Sequence, residues 1–241
     1  MTRFHTTRWS LILDARSLSP VASRALAELC RIYRPPVLAC VRRHGHAAEE
    51  AEDLTQAFFE QLLRHGTFAV AERARGRFRT FLLVSLRHFL ANQAAAARAA
   101  KRGGGQQPVS IETQLADGAE VAGEDAPDLA FERDWADAVL RQAMLHLEAE
   151  TPAGKRELFL ALRPFLLEAP DSDDYARLAE RLDMRRNTLA VAIHRLRQRL
   201  HEFVRAELGE TVAEPEAVET ELEVLRRAVS PAAQASGGAA G

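Results

Sequence analysis

The sequence lacks the features that are typical of disulfide-rich, metal-binding and membrane-spanning proteins. Among 241 residues there are only two cysteines, Cys30 and Cys40. They stand in an apolar helical context without a CxxC spacing or a histidine partner, so we expect buried free thiols rather than a metal site or a disulfide. No apolar run approaches the roughly 20 residues that cross a bilayer, and the first ten residues have no apolar core. We therefore expect a cytoplasmic protein with no signal peptide, no membrane insertion and no cofactor.

Catalytic motifs are also missing from the sequence. It has no glycine-rich phosphate loop, no Cys/His metal spacing and no regular Ser/His/Asp set, although its eight histidines leave a catalytic role formally open. We therefore predict a protein that is not an enzyme in its own right.

The charges are arranged in blocks of opposite sign, although the net charge is only -2. Residues 73–102 contain eight Lys or Arg and no acid, whereas residues 112–137 contain nine acids and one base. Residues 185–205 are basic again, with six arginines against one glutamate, and residues 207–227 contain seven glutamates and two arginines. The pattern predicts two cationic surfaces for nucleic acid, separated and followed by anionic segments.

Apolar spacing predicts an all-α fold. Strand signals are scarce, and apolar residues recur at helical intervals almost throughout the chain. The KRGGG sequence at 101–105 ends a helical stretch, and the acidic residues after it, with several Pro and Gly, predict a linker. We expect two small helical domains joined by an acidic flexible linker: residues 1–102, the linker 103–130, residues 131–208, and an acidic, partly disordered extension 209–241.

The most specific local pattern predicts a helix-turn-helix in residues 175–200. A short helix is followed by a turn at Asp183 and Met184 and then by a longer helix. Apolar residues define one face of each helix: Tyr175, Leu178, Ala179 and Leu182 in the first, and Leu189, Ile193, Leu196, Leu200 and Phe203 in the second. The opposite face of the second helix carries residue types that pair with base edges or contact a thymine methyl. The alternative is an ordinary helical hairpin with a solvated basic face.

At these residues the chain resembles the fourth conserved region of extracytoplasmic-function (ECF) sigma factors, a subfamily of the sigma-70 family. The typical Gly of the turn is replaced by Asp183, which tolerates the left-handed conformation better than most residues. Apolar residues 190–192 replace the usual polar ones, so the resemblance does not indicate which bases this helix reads. The resemblance implies contacts with the promoter -35 element by Arg185, Arg186, Asn187, Thr188, Val191, His194, Arg195, Arg197 and Gln198.

A second match lies in residues 50–63, which resemble the acidic helix by which this family docks on the polymerase clamp. A helical wheel separates an apolar face with Ala51, Leu54, Phe58 and Leu62 from an acidic face. The wheel places Thr55 on the apolar side, which argues against its phosphorylation. A merely solvated acidic face is the alternative. The resemblance implies polymerase binding by Glu49, Glu50, Asp53, Gln56 and Glu60.

A third match, in residues 76–101, resembles the family's promoter-melting and -10 recognition segment. Cations would hold the DNA backbone there, and aromatic or polar side chains would receive unstacked bases. Alternatively, the phenylalanines at 78, 81 and 89 belong to the core. The residues implied in -10 binding are Arg75, Arg77, Arg79, Phe81, His88, Phe89, Asn92, Arg98, Lys101 and Arg102.

The resemblance covers residues 7–207 and implies a sigma factor. Its partners would be core RNA polymerase, at the clamp and flap regions, and promoter DNA at -10 and -35. An anti-sigma factor or a Ser/Thr kinase is a further partner that the resemblance allows. A stand-alone helix-turn-helix regulator is the main alternative, but it leaves the acidic helix and the melting segment unexplained. An α-helical adaptor that binds only proteins is a second alternative, which predicts no salt-dependent affinity for DNA.

Overall fold

Most of the residues that the structure describes are α-helical, and no β-strand occurs among them. The computed structural model describes residues 20–65, 78–101, 129–212 and 216–230. Within these ranges lie eight α-helices: α1 (Pro20–Arg43), α2 (Ala48–His65), α3 (Phe78–Lys101), α4 (Leu129–Glu150), α5 (Arg156–Leu162), α6 (Ser172–Leu182), α7 (Arg186–Gly209) and α8 (Ala217–Val229). Short 3-10 turns at Ala153–Lys155 and Arg163–Leu166 flank α5. The predicted all-α class is confirmed.

The described helices belong to two compact units. The N-terminal unit comprises Met1–Ala138 together with Leu208–Gly241, and the second unit is Val139–Glu207. This division differs from the expected domains, in which residues 131–208 form one domain. The start of α4 belongs to the N-terminal unit because Phe131 and Trp135 are fully buried, and the Trp135 indole N–H donates a 3.1 Å hydrogen bond to the Tyr33 hydroxyl.

The expected linker and extension also differ from the structure where it describes them. Residues 129 and 130 are the first residues of α4 rather than linker, and residues 103–128 lie outside the described residues. In the extension, α8 is a regular helix with five buried residues. The start of α3 is tied to the segment after α7, because the Phe78 N–H donates to the Thr211 carbonyl at 3.1 Å.

Large aromatic and aliphatic side chains fill the core of the N-terminal unit. The Tyr33 and Phe78 rings meet edge to face at 4.8 Å, and the Phe58 and Phe89 rings lie 5.6 Å apart. Cys40 is a buried free thiol, as expected. None of the described helices is both long and apolar enough to cross a membrane.

The second unit is built around the pair α6 and α7. Asp171 caps α6 in a reciprocal arrangement with Asp174, whose backbone N–H donates to the Asp171 carboxylate at 2.7 Å. The chain then turns at Asp183, which has φ 49° and ψ 45° in the left-handed region. Leu178, Leu189 and Ile193 are buried, as their spacing predicts. Tyr175, Ala179, Leu182 and Leu196 pack against this cluster.

Candidate nucleic-acid interface

The exposed face of α7 lies opposite its buried face. Leu189 and Ile193 are 0% and 2% exposed, whereas Val191 between them is 49% exposed. The face is formed by Asn187, Thr188, Val191, His194 and Gln198, all exposed. Residues 187 and 198 are about 16 Å apart along the helix at about 1.5 Å per residue, which equals about five base-pair steps. The exposed face of α7 is therefore about as long as five base-pair steps.

The arginines around this face differ in their surroundings. Arg185, Arg186 and Arg195 are exposed, and the Arg186 guanidinium stacks 4.9 Å from the centre of the Tyr175 ring. Arg195 has no hydrogen bond or ion pair to another described residue. These three exposed cations lie near the edges of the face.

Arg197 requires a correction to the sequence prediction. Its Nε and Nη2 atoms donate to the Phe165 carbonyl at 3.1 and 2.8 Å, and Nη2 also donates to the Glu168 carbonyl at 2.6 Å. The guanidinium therefore holds the end of the 3-10 turn against α7, which is a role within the fold that the sequence prediction did not include.

Within the second unit, an ion-pair cluster joins α4 to α7. Arg199 donates to both carboxylate oxygens of Glu150 at 2.6 and 2.5 Å and to Glu202 at 2.5 Å. The hydrogen bonds that Arg199 donates to Glu150 raise the pKa of Arg199 and lower the pKa of the Glu150 carboxyl. The Arg199 guanidinium also stacks 4.6 Å from the centre of the Phe203 ring. These contacts link the end of α4 to α7 within the unit.

A mainly apolar groove of about 530 Å³ runs beside the exposed face of α7. Val191 and Arg195 lie on one of its walls, and Lys155 and Leu158 lie on another. Lys155 is exposed and adds a cation that sequence reasoning missed, because it lies outside both basic blocks. The groove extends the apolar surface around Val191, the residue expected to meet a thymine methyl.

Arg79 of α3 requires a second correction. It is only 7% exposed, and its guanidinium donates to Glu221 at 3.1 and 3.2 Å and to Glu132 at 2.8 Å. It also lies 4.9 Å from the centre of the Trp135 ring. Burial alone would lower the pKa of Arg79, but the hydrogen bond and charge of Glu221 and the charge of Glu132 outweigh burial and raise it. The residue is therefore not available to promoter DNA in this conformation.

Phe81 and Phe89 require a third correction, since each is only 2% exposed. Both side chains belong to the core of the N-terminal unit and cannot stack on bases, so the alternative of a core role is correct for them. His88 and Asn92 are half-buried one turn apart on α3. Arg98 is exposed, and its Nε donates to the Ala94 carbonyl at 3.1 Å. Arg75, Arg77, Arg102 and the side chain of Lys101 lie outside the described residues.

The predicted faces of α2 are present in the structure. Ala51, Thr55, Phe58 and Leu62 are buried, as the helical wheel predicted, whereas Leu54 on the same predicted face is only half-buried. The acidic face consists of Glu49, Glu50, Asp53, Gln56 and Glu60, all exposed. The side chain of Gln56 donates to Glu60 at 3.0 Å. The acidic face is thus exposed along one side of α2.

Three residues around Arg79 were missed by sequence reasoning: Glu132, Trp135 and Glu221. No local signal could have linked them, because Glu221 is 142 positions from Arg79.

Among the described residues, no group of His, Cys, Asp or Glu is placed to hold a metal ion. Neither a protein-family model, nor a curated protein, nor a solved structure matches this chain.

Proposed function

We propose that the protein is an RNA polymerase sigma factor of the ECF type, which directs core polymerase to specific promoters and initiates transcription. The observation that carries the proposal is the pair α6 and α7, in which Asp183 makes a left-handed turn and the exposed polar face of α7 lies opposite its core face. In this proposal the protein acts in the cytoplasm and polymerase performs the chemistry.

The exposed face of α7 supports reading of the -35 element in a major groove. The Asn187 and Gln198 amides can pair with adenine edges, and Val191 can contact a thymine methyl. Arg195 and Arg185, at the edges of this face, are the candidates for backbone contacts, which set register without reading sequence. Because residues 190–192 are apolar, part of the recognition would depend on methyl contact and on DNA shape.

The acidic face of α2 supports the proposed contact with the polymerase clamp. Glu49, Asp53 and Glu60 are exposed on one side of a helix whose other side is buried. Complementary charge of this kind steers association with a basic partner and fixes its register. The helix is anchored by its core face, so its carboxylates are held in a defined arrangement before binding.

For the -10 element, the described candidates are reduced to His88, Asn92 and Arg98 of α3. The first two could receive an unstacked base, and Arg98 could hold the backbone. Arg75, Arg77, Lys101 and Arg102 complete the proposed site but rest on the sequence alone.

The test mixes the full chain with bacterial core RNA polymerase and selects DNA from a random promoter library, with and without polymerase. A sigma factor forms a complex with the enzyme and selects promoters only in that complex. A stand-alone regulator would select DNA without polymerase and form no complex. A protein-only adaptor would show no DNA affinity that falls as salt rises.

A further inference from the structure

Arg186 is the first residue of α7, and its guanidinium is held against α6. The central carbon of the guanidinium lies 4.9 Å from the centre of the Tyr175 ring, and Tyr175 belongs to the first turn of α6. Arg186 is nevertheless exposed. Its side chain makes no hydrogen bond or ion pair with the residues that the structure describes. The contact with the ring therefore restrains this guanidinium without removing it from solvent.

Two other arginines of α7 are restrained in a different way, through their N–H groups. Arg197 donates to two backbone carbonyls, and Arg199 donates to Glu150 and Glu202. A stacked guanidinium is attracted by the negative face of the ring instead, so this contact uses none of its N–H donors. Arg186 thus combines a restrained position with N–H donors that no described residue occupies.

The Tyr175 ring is itself fixed by the core of the second unit. It is half-buried and packs against the cluster that contains Leu178, Leu189 and Ile193. An arginine side chain has many rotamers, and immobilising it when a ligand binds costs free energy. A fixed ring lowers this cost, because it favours in advance the rotamers that place the guanidinium over it.

The position of Arg186 on α7 corresponds to an edge of the exposed face. Successive residues of an α-helix are about 100° apart around its axis, so Arg186 lies on one side of Asn187, and Arg195 lies on the other. In a helix-turn-helix the first helix crosses the DNA backbone while the second enters the groove. A cation held between α6 and α7 would therefore meet a phosphate rather than a base edge.

We propose that Tyr175 is a positioning residue, which holds the Arg186 guanidinium ready for a backbone phosphate of the -35 element. The inference rests on the proposed function and adds Tyr175 to the residues that act in DNA binding. Tyr175 acts through Arg186 and not by a contact of its own. Because the contact of Arg186 is to a phosphate, it stabilises binding to all DNA sequences alike.

The test measures DNA binding by the full chain, with and without core polymerase, after substitution of Tyr175. Tyr175→Phe keeps the ring, whereas Tyr175→Leu keeps an apolar side chain for the core and removes the ring. The first variant should bind within about twofold of wild type, and the second should bind about threefold more weakly to every sequence. Arg186→Ala should also weaken binding to every sequence, and it should lower the salt slope by about one unit.

A double-mutant cycle separates positioning from a role in the fold, because a change that acts only through the fold does not depend on Arg186. In the Arg186→Ala background, Tyr175→Leu should cause no further loss of affinity. The matched background is Arg185→Ala, which removes the neighbouring exposed cation. There the loss caused by Tyr175→Leu should remain about threefold.

Three outcomes would overturn the positioning role: an equal loss from Tyr175→Leu with and without Arg186, a loss in Tyr175→Phe as large as in Tyr175→Leu, or an unchanged salt slope in Arg186→Ala. Complex formation between the wild-type chain and core polymerase is measured in parallel. If no complex forms but the two residues are coupled in DNA binding, the sigma function fails and the positioning role stands. If the complex selects promoters but shows no coupling, the positioning role alone is rejected, and absence of any DNA binding rejects both.

Discussion

Arg195 and Arg197 stand two positions apart on α7, and their surroundings assign them different roles. Arg195 is exposed beside the proposed DNA-reading face. Arg197 is half-buried and donates to the carbonyls of Phe165 and Glu168. We interpret the first as a residue that holds the DNA backbone and the second as a residue that holds the fold.

Alanine substitutions should separate these two roles. Arg195→Ala should weaken binding to all DNA sequences alike and reduce the salt slope by about one unit, because one phosphate contact is lost. Arg197→Ala should keep that slope and lower the free energy of unfolding by about 2 kcal/mol, since charged hydrogen bonds to two carbonyls are lost. Salt titrations of DNA binding and urea denaturation measure the two effects. An equal loss of salt slope in both variants would reject the assignment.

Asn187 and His194 should determine sequence preference. Each is exposed on the face of α7 opposite Leu189 and Ile193. Replacing either by Ala should cost about 1 to 3 kcal/mol at the preferred -35 sequence and little at other sequences. The measurement is transcription of a randomised -35 library by each variant with core polymerase. If both variants keep the wild-type preference, a different face of α7 enters the groove.

Tyr33 should make stability depend on pH in the alkaline range. Burial raises the pKa of Tyr33 well above its ordinary value, so the folded state favours the neutral phenol. The stabilisation that the neutral Tyr33 phenol gives the folded state is complete below about pH 10. Above that pH the free energy of unfolding falls by up to about 1.4 kcal/mol per pH unit, because Tyr33 ionises in the unfolded chain before it ionises in the folded protein.

The comparison variant for this effect is Tyr33→Phe. At neutral pH it should be less stable by about 1 to 3 kcal/mol, because the Trp135 indole N–H loses its acceptor. Urea denaturation between about pH 8 and pH 11 should bring the two stabilities closer together as the pH rises. A constant difference across this range would show that Tyr33 ionises equally in both states.

At the scale of single elements, helix faces followed from the sequence because they depend on residues within a few positions. The buried side of α2, with Ala51 and Phe58, and that of α7, with Leu189 and Ile193, are defined by a period of about 3.6 residues. The turn between α6 and α7 was predictable for a similar reason, since Asp183 is among the few residue types that accept a left-handed backbone. The sequence could not show which of these exposed faces meets a partner.

The acidic face of α2 should be required for polymerase binding but not for folding. Reversing Asp53 and Glu60 to Lys should abolish the complex with core polymerase, because both carboxylates face outward from a helix anchored by its other side. The matched control reverses two exposed acids on other helices, Asp137→Lys and Glu223→Lys. The free energy of unfolding of both double variants should lie within about 0.5 kcal/mol of the wild-type value, as is usual for surface substitutions. A complex that survives the α2 reversal would remove this assignment.

At the scale of the whole molecule, the division into units depends on contacts that no local pattern encodes. The bond between Arg79 and Glu221 joins residues 142 positions apart, and it attaches the C-terminal extension to the N-terminal unit. Phe81 and Phe89 illustrate a related limit: an aromatic residue that fills a core and one that stacks on a base are the same residue type, and only burial distinguishes them. Because Arg79 is buried, the basic block at residues 73–102 contributes fewer exposed cations than its composition indicates.

Run-off transcription shows whether this protein acts as a sigma factor. Core RNA polymerase is incubated with a pool of promoter templates, with and without the full chain. If the protein is a sigma factor, discrete run-off products should appear only when it is added and should disappear with Asp53→Lys/Glu60→Lys, while the control reversal of Asp137 and Glu223 remains active. Absence of any protein-dependent transcript, together with absence of a complex between the wild-type chain and core polymerase, would contradict the sigma function.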